Sequence, residues 1–395
     1  MLQRAHPFAI PHHPHEDPPN GHVHVLTRPE LARCAHWGNA FDGERKDHRY
    51  YELVEDTLPL GFDYRYFAMA NSRGEVFAIQ PFFLLEQDLL AGVTGWPHML
   101  AGAIRRLIPR FMYARTLMVG CVAGEGHLDG DETARQASAR QLASAIRARA
   151  RELRAKLIVL KEFPTKYRRA LECFLDRGFA RMPSMPLTCV DINYQSFDDY
   201  MKRGLRGPAR RSLRRSLAIS DRRPIEMQVI VDASPIINEI YPLYLAVYER
   251  STLHFEKLTK EYFCRIGALM PDRTRFFIWR KEGKIVAFSL CMLDSDGVWA
   301  EYLGLDYAVA LDIHLYFRAY RDVVTWAMAN GYKRFHGTGL HYDPKRRMGH
   351  LLDPLDLYVR HTSWLPNALL SWALPLLDPT RYERSLRKFP NYGEL

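Results

Sequence analysis

One order of elements is written twice in this chain, and that repeat constrains the fold more than any single segment does. The first copy opens at Tyr64 to Met69, an aromatic-rich strand candidate. Asn71-Ser72-Arg73-Gly74 turns the chain and Val76 to Leu85 returns it, so a hairpin is expected. An apolar insertion, Trp96 to Arg115, precedes a strand at Thr116 to Val122. Glu132 to Lys156 reads as a long helix, with Leu142, Ile146, Ala150 and Leu153 on one stripe. Leu157 to Leu160 is a buried strand. Lys166 to Arg177 is a helix that Gly178 caps. Leu187 to Ile192 closes the unit as a strand.

The second copy repeats that order. Arg275 to Trp279 and Ile285 to Leu293 flank a turn at Glu282-Gly283. Asp294-Ser295-Asp296-Gly297 leads into a strand from Val298 to Leu305. Leu311 to Asn330 places Ile313, Tyr316, Phe317, Tyr320, Val324 and Ala327 on one helical stripe, ending at Gly331. Lys333 to His336 is a strand, a short helix is expected near Lys345 to Leu352, and Leu357 to Thr362 is the closing strand. A helical segment from Ser234 to Arg250, then Lys260 to Leu269, precedes this copy. The repeat predicts an α/β chain of two similar units. It divides into a His/Pro-rich tail at 1–24, a first domain at 25–195 and a connector at 196–230. A second domain at 231–363 and an extension at 364–395 follow.

Charge gathers at the connector. Between Lys202 and Arg223 there are nine basic residues opposed only by Asp221, so this segment holds +8 of the net +10. Gly204, Gly207 and Pro208 break its start, and a helix should begin near Pro208. Arg210, Arg211, Arg214 and Arg215 then share a broad face, with Ala209, Leu213 and Leu217 on another. Two readings stand: an anion-binding face, or a solvated helix docked through its leucines. An anion held there is expected at the junction of the two domains. The rest of the chain is close to neutral, which argues against a DNA-coating role.

The six cysteines lack metal-pair spacing, and five of them lie in or beside apolar stretches, as free thiols in a reducing compartment do. The N-terminal stretch holds no apolar signal core and runs through histidines instead, among them His6, His12, His13, His15, His22 and His24. No metal site is expected there. Leu365 to Leu377 is too short to span a bilayer and holds Pro366 and Pro375. A cytoplasmic protein is expected, with peripheral contact at the inner face of an anionic membrane left open. The stretch Trp364 to Leu377 either lies on such a membrane or packs over the sheet. The insertion Trp96 to Arg115, with Arg105, Arg106 and Arg110, is a similar basic amphipathic segment.

Particular residues carry a family resemblance. They are Ser196-Phe197-Asp198-Asp199-Tyr200-Met201 and then Arg210-Arg211-Ser212-Leu213-Arg214-Arg215. Glu301-Tyr302-Leu303-Gly304-Leu305-Asp306 follows on a strand, then the aromatic helix from His314 to Trp326. Gly331-Tyr332-Lys333-Arg334-Phe335 leads to Gly337, Gly339, Tyr342 and Lys345. With the doubled order, these resemble the N-acetyltransferase (GNAT) fold and, within it, the FemAB-like and BioF2-like acyltransferases. The resemblance covers 196–362 closely and 25–195 more loosely. It implies two tandem GNAT-like domains, each a mixed, mostly antiparallel sheet flanked by helices. It also implies transfer of an acyl or aminoacyl group to an amine or hydroxyl, on a cell-envelope precursor among other acceptors. The implied donor is acyl-CoA, or aminoacyl-tRNA in the peptidoglycan branch. A phosphate-bearing small molecule or tRNA is the implied partner.

Such chemistry needs a proton acceptor, a proton donor for the leaving group, and polar groups for phosphates and the oxyanion. The resemblance implies a phosphate loop at Gly124-Glu125-Gly126, before the long helix. Cys121 stands where the family has Gln or Arg, and Glu125 adds a negative charge, so a plain connecting loop is the competing reading. The second copy has Leu305-Asp306-Tyr307-Ala308 in that place, without glycines. Glu301 is either a base among apolar neighbours or a solvent-facing residue, sharing a face with Trp299 and Leu303. Asp306 is a second carboxylate or a helix cap. His336 faces a cleft or solvent, and His314 reads as a core histidine. Tyr342 is an acid or a packing residue. Lys345, Arg346 and Arg347 bind a phosphate or carboxylate, or form a solvated loop. The alternative to an enzyme is a tRNA- or anionic-ligand-binding module without its own catalysis; a membrane-associated scaffold is a third reading.

Overall fold

The doubled order folds into two seven-stranded sheets. The computed structural model describes residues 21–88, 105–106, 113–251 and 255–395, without the side chains of 375–377. Residues 1–20 and most of the insertion Trp96 to Arg115 lie outside the described residues. The first strands are β1 (His22–Leu26), β2 (Asp63–Ala70), β3 (Val76–Asp88), β4 (Tyr113–Val119), β5 (Leu157–Pro164), β6 (Ala180–Pro183) and β7 (Leu187–Asp191). Then come β8 (Glu226–Ile230), β9 (Thr274–Lys281), β10 (Lys284–Leu293), β11 (Gly297–Leu305), β12 (Arg334–Gly337), β13 (Leu351–Asp353) and β14 (Leu355–His361).

The sheets do not divide as the sequence does. The first runs β1-β2-β3-β4-β5-β14-β6, and the second runs β13-β7-β12-β11-β10-β9-β8. Each copy therefore gives a late strand to the other sheet. β7, expected to close the first unit, pairs antiparallel with β12 and β13. β14 inserts between β5 and β6. The two strands occupy equivalent places, so their side-chain patterns cannot reveal the exchange. Breaking it would strip ladder hydrogen bonds from both sheets, which ties the two halves into one body.

In each half the first and second strands of the parallel pair follow the expected order. β4 runs parallel to β5, and β11 runs parallel to β12. The expected tail boundary at 24 cuts through β1, so His22 to His24 belong to a strand of the first sheet. Its His-Val-His-Val alternation buries Val23, turns His22 and His24 outward, and pairs with β2. The short expected helix near Lys345 lies earlier, at Tyr342–Arg347. The aromatic helix starts later, at Leu315, because His314 takes a left-handed conformation with φ 51°.

Three large apolar cores sort the layers, beside a small fourth one around Tyr342, Leu352, Leu386 and Phe389. One packs the helix Glu132–Glu152 and the helix Arg168–Leu175 on the outer face of the first sheet. A second packs Leu213, Leu217, Tyr320 and Val324 on the outer face of the second sheet. The third lies between the sheets and draws on both, through Tyr66, Phe83 and Met118 on one side and Ile278, Phe288 and Leu290 on the other. Helices His48–Thr57, Ile237–Tyr248 and Lys260–Leu269 fill that middle layer. Strand alternation explains the sorting: Phe276 and Ile278 face inward while Phe277 and Trp279 face outward.

Candidate active site

A ring of four charges, three of them buried and the fourth, Glu301, partly so, closes the space between the sheets. Arg45 and Lys46 come from the segment just before helix His48–Thr57. Glu125 comes from the loop after β4, and Glu301 from β11. Arg45 Nη1 meets Glu125 Oε1 at 2.5 Å and Arg45 Nη2 meets Glu301 Oε1 at 2.9 Å. Lys46 Nζ lies 3.0 Å from Glu125 Oε2 and 3.3 Å from Glu301 Oε2. Arg45 is 4% exposed and Lys46 0%. Burial works against the charge on Glu125, but Arg45 and Lys46, with His127, outweigh it and hold the carboxyl well below its usual range.

The backbone explains how Glu301 reaches this ring. Leu290 faces Tyr302 and Cys291 faces Ala300, so Glu301 is the extra residue of a β-bulge. A bulge breaks alternation and re-aims its side chain. Trp299 and Tyr302 consequently both pack on the inner core, whereas Ala300 and Leu303 pack outward. The expected shared face of Trp299, Glu301 and Leu303 is corrected by this bulge. Instead of apolar neighbours, Glu301 has two cations. β11 pairs with β12 only through Ala300 and Gly337, so the two strands have no ladder between them beyond the bulge.

The first sheet carries a matching irregularity. Leu160 faces Tyr358 and Phe163 faces Asp356, with Glu162 at φ 57° in between. A left-handed non-glycine residue costs about 1–2 kcal/mol, and here it turns the Lys161–Glu162 pair toward the middle layer. Lys161 Nζ meets Glu162 Oε2 at 2.6 Å, donates to the Gly124 carbonyl and stands over the Phe255 ring. Glu256 lies next in the chain and accepts a 3.1 Å bond from the Tyr302 hydroxyl. Burial raises its pKa, against the pull of Lys161 and that hydroxyl. Tyr50 and Tyr262 share a 3.0 Å hydroxyl contact beside Lys46. Burial pushes the hydroxyls of Tyr50, Tyr262 and Tyr302 well above the usual tyrosine range.

A stack extends the ring into the second sheet. The Arg45 guanidinium lies 3.7 Å from the Trp299 ring centre. Trp299 stacks on His336 at 3.6 Å, nearly parallel. His336 adjoins Gly337, whose α-carbon faces the Lys345 side chain. Lys345 is buried, and its Nζ donates to the carbonyls of Thr338 and Leu340. No carboxylate pairs with it among the described residues. Burial lowers its pKa to about 7. His350, beside Lys345 and His336, is also pushed down by burial, and neither ring nitrogen has a hydrogen-bond partner among the described residues.

Of the residues singled out in the sequence, Glu301, His336 and Lys345 thus fall along one connected path. Gly124 and Gly126 adjoin it, but five residues, His127 to Asp131, separate them from the helix that starts at Glu132. A side chain at Gly124 would strike Lys46 Nζ, and one at Gly126 would strike Phe163 and the Lys161 carbonyl. This loop is packed around Glu125, with its Gly124 carbonyl on a lysine. Of the others, Tyr342 and Arg346 share the helix of Lys345 but engage other partners, while Asp306 and His314 lie apart. Asp306 caps the helix Tyr307–Ala310 and pairs with Lys284. Tyr342 is buried and donates to the Pro186 carbonyl at 2.8 Å. Arg346 sits near Asp343. His314 contacts Ser216 Oγ. No group of three or more metal-ligating side chains occurs among the described residues.

Arg210, Arg211, Arg214 and Arg215 lie on the helix Gly207–Ser220, as the proline and glycine signals predicted. Leu213 and Leu217 dock it to the outer core of the second sheet. The arginines are therefore on the far side of that sheet from the charged ring, not at the junction of the halves. Arg211, Arg214 and Arg215 are exposed, and no carboxylate pairs with them among the described residues.

The profile of the FemAB-like family, described as peptidoglycan biosynthesis/recognition, matches residues 66–352. No curated protein matches the chain in sequence. The crystal structure of FemX superposes with a TM-score of 0.51 at 12% identity, covering 84% of this chain and 96% of that one. L-PGS from Bacillus licheniformis superposes with a TM-score of 0.50 at 14% identity, covering 84% and 97%. At such identities the likeness is one of fold: two GNAT-type units in tandem, each a mixed sheet flanked by helices.

Proposed function

The chain belongs to the FemAB-like family, and from that premise we propose that it transfers an acyl or aminoacyl group to an amine or hydroxyl of a cell-envelope precursor. The observation that carries this reading is the bulge at Glu301, where β11 loses its ladder with β12 beside a half-buried carboxylate, Glu256. There the acceptor's N–H or O–H attacks the donor carbonyl. Glu256, whose charged form burial disfavours, takes the proton. The donor's C–O or C–S bond breaks, and protonated Glu256 passes that proton on to the leaving oxygen or sulfur. Tyr302 orients Glu256. Glu301 is engaged by Arg45 and Lys46 and fixes the wall on which this happens.

Aminoacyl-tRNA is the donor that the surface favours. The loop at Gly124-Glu125-Gly126 is occupied by Lys46 and Lys161 contacts, and the equivalent place in the second copy lacks glycines. The exposed arginine helix offers charge for many phosphates instead. Acyl-CoA is the competing donor. Purified protein would be mixed with a lipid-linked or nucleotide-linked envelope precursor and either labelled aminoacyl-tRNA or labelled acyl-CoA. Transfer from the tRNA donor supports the reading. Transfer only from acyl-CoA overturns the choice of donor, and transfer from neither overturns the function.

A further inference from the structure

We propose that the helix Trp364–Leu377 and the arginines at its start form a docking surface for an anionic lipid bilayer. This helix carries no charged residue. A helix that is apolar all round belongs in a protein core or in lipid, yet this one lies on the surface. At 100° per residue, Leu370 and Leu374 fall on one side and pack on the middle core. Trp364, Leu365, Leu369 and Trp372 fall within a span of about 140° on the other side. Trp364 is 77% exposed and Trp372 75%. Tryptophan favours the headgroup level of a membrane, where its ring is buried and its N–H stays wet.

Charge says what covers this face. Arg147 and Arg151, from the helix Glu132–Glu152, both donate to the Thr362 carbonyl, one residue before the helix cap Ser363. Arg360 donates to the Arg177 carbonyl, and Asn367 donates to Gly178. Besides burial, the charges of Arg147, Arg151 and Arg177 hold the Arg360 guanidinium below its usual range, so four guanidinium groups crowd around the start of the apolar helix. Among the described residues none has a carboxylate within ion-pair distance, and the buried Nε of Arg360 has no partner. Protein partners of opposite charge would need acidic groups set among apolar ones. An anionic bilayer supplies phosphates above an apolar layer in the same order as the arginines and the tryptophans. The surface is independent of the proposed transfer chemistry.

Flotation of the full chain with vesicles separates the outcomes. Binding to phosphatidylcholine vesicles containing phosphatidylglycerol is expected, at least tenfold above binding to phosphatidylcholine alone. Each arginine is expected to contribute about fivefold. Trp364→Ser with Trp372→Ser, and separately Arg151→Glu with Arg177→Glu, should abolish flotation; the tryptophan pair should leave the thermal midpoint unchanged, and the arginine pair should lower it only by the loss of the Arg151 bond to the Thr362 carbonyl. Arg211→Glu with Arg214→Glu, on the other basic face, should float as the parent does. Failure of the parent to float overturns the proposal, as does undiminished flotation of either first pair or loss in the last one. A dimer in sedimentation that the tryptophan pair dissolves, without any vesicle binding, makes the face a self-interface and also overturns it.

Discussion

Replacing Glu125 with Gln keeps the side chain's shape and removes one of two negative charges from the ring. Arg45, Lys46 and Glu301 then remain, with one uncompensated positive charge in a place where Arg45 and Lys46 are 4% and 0% exposed. Breaking a buried pair from one side costs about 3–5 kcal/mol. An unfolding entropy of about 2.1 cal/mol/K per residue gives roughly 830 cal/mol/K for 395 residues, so the midpoint should fall by roughly 4–6 °C. Lys46→Met should cost a similar amount, since it leaves an excess negative charge. The double variant restores balance around Arg45 and Glu301, so it should be more stable than the sum of the two losses by about 2 kcal/mol. Urea unfolding and calorimetry measure all three. The pH dependence has a defined sign. Glu125 is held below its usual 4.5 in the folded state, so its contribution is present above that value and is lost as pH falls below it. Additive losses, or a Glu125→Gln loss under about 1 kcal/mol, would show that the ring is solvated and that the reasoning is wrong.

Lys345 titrates in the opposite sense to a paired lysine. Its folded pKa is about 7 against a usual 10.5, so the unfolded chain binds the extra proton between these values. Stability should rise across that range, by at most about 1.4 kcal/mol per pH unit, and Lys345→Met should flatten the rise in urea titrations at successive pH. Replacing Arg211, Arg214 and Arg215 with Ala should reduce the slope of log affinity for tRNA against log salt by about 0.7–0.9 per lost phosphate contact; filter binding at several salt concentrations reads it, and an unchanged slope rules this helix out. Gly124→Ala should destabilise the chain, because φ is 109° there and a methyl group would strike Lys46 Nζ; a thermal midpoint equal to that of the parent would contradict the packing.

Much of the fold was legible because helix stripes and hairpins are local. Leu142, Ile146 and Ala150 do line the buried face of their helix, and Pro208 does open the arginine helix. What was not legible depends on contacts between distant residues. β7 and β14 take equivalent places in the two sheets, so their exchange leaves no mark in the residues of either strand. Glu301 was recognised as a residue of interest, but its bulge arises from the pairing with Leu290 and Cys291, not from its own neighbours. Arg45 and Lys46 sit in Gly43-Glu44-Arg45-Lys46-Asp47-His48, which reads as a solvated loop. Only the fold brings Glu125 and Glu301 to them from 79 residues away and farther. Glu256 was overlooked for the same reason: the burial that raises its pKa comes from other segments.

The central claim is that a carboxylate between the two sheets takes the acceptor's proton. Single-turnover transfer by the parent and by Glu256→Gln, with folding checked by thermal unfolding, tests it most directly. A loss of about 10²–10⁴-fold in the rate of transfer, with the midpoint preserved, is the predicted result. Equal rates in the two proteins would contradict it.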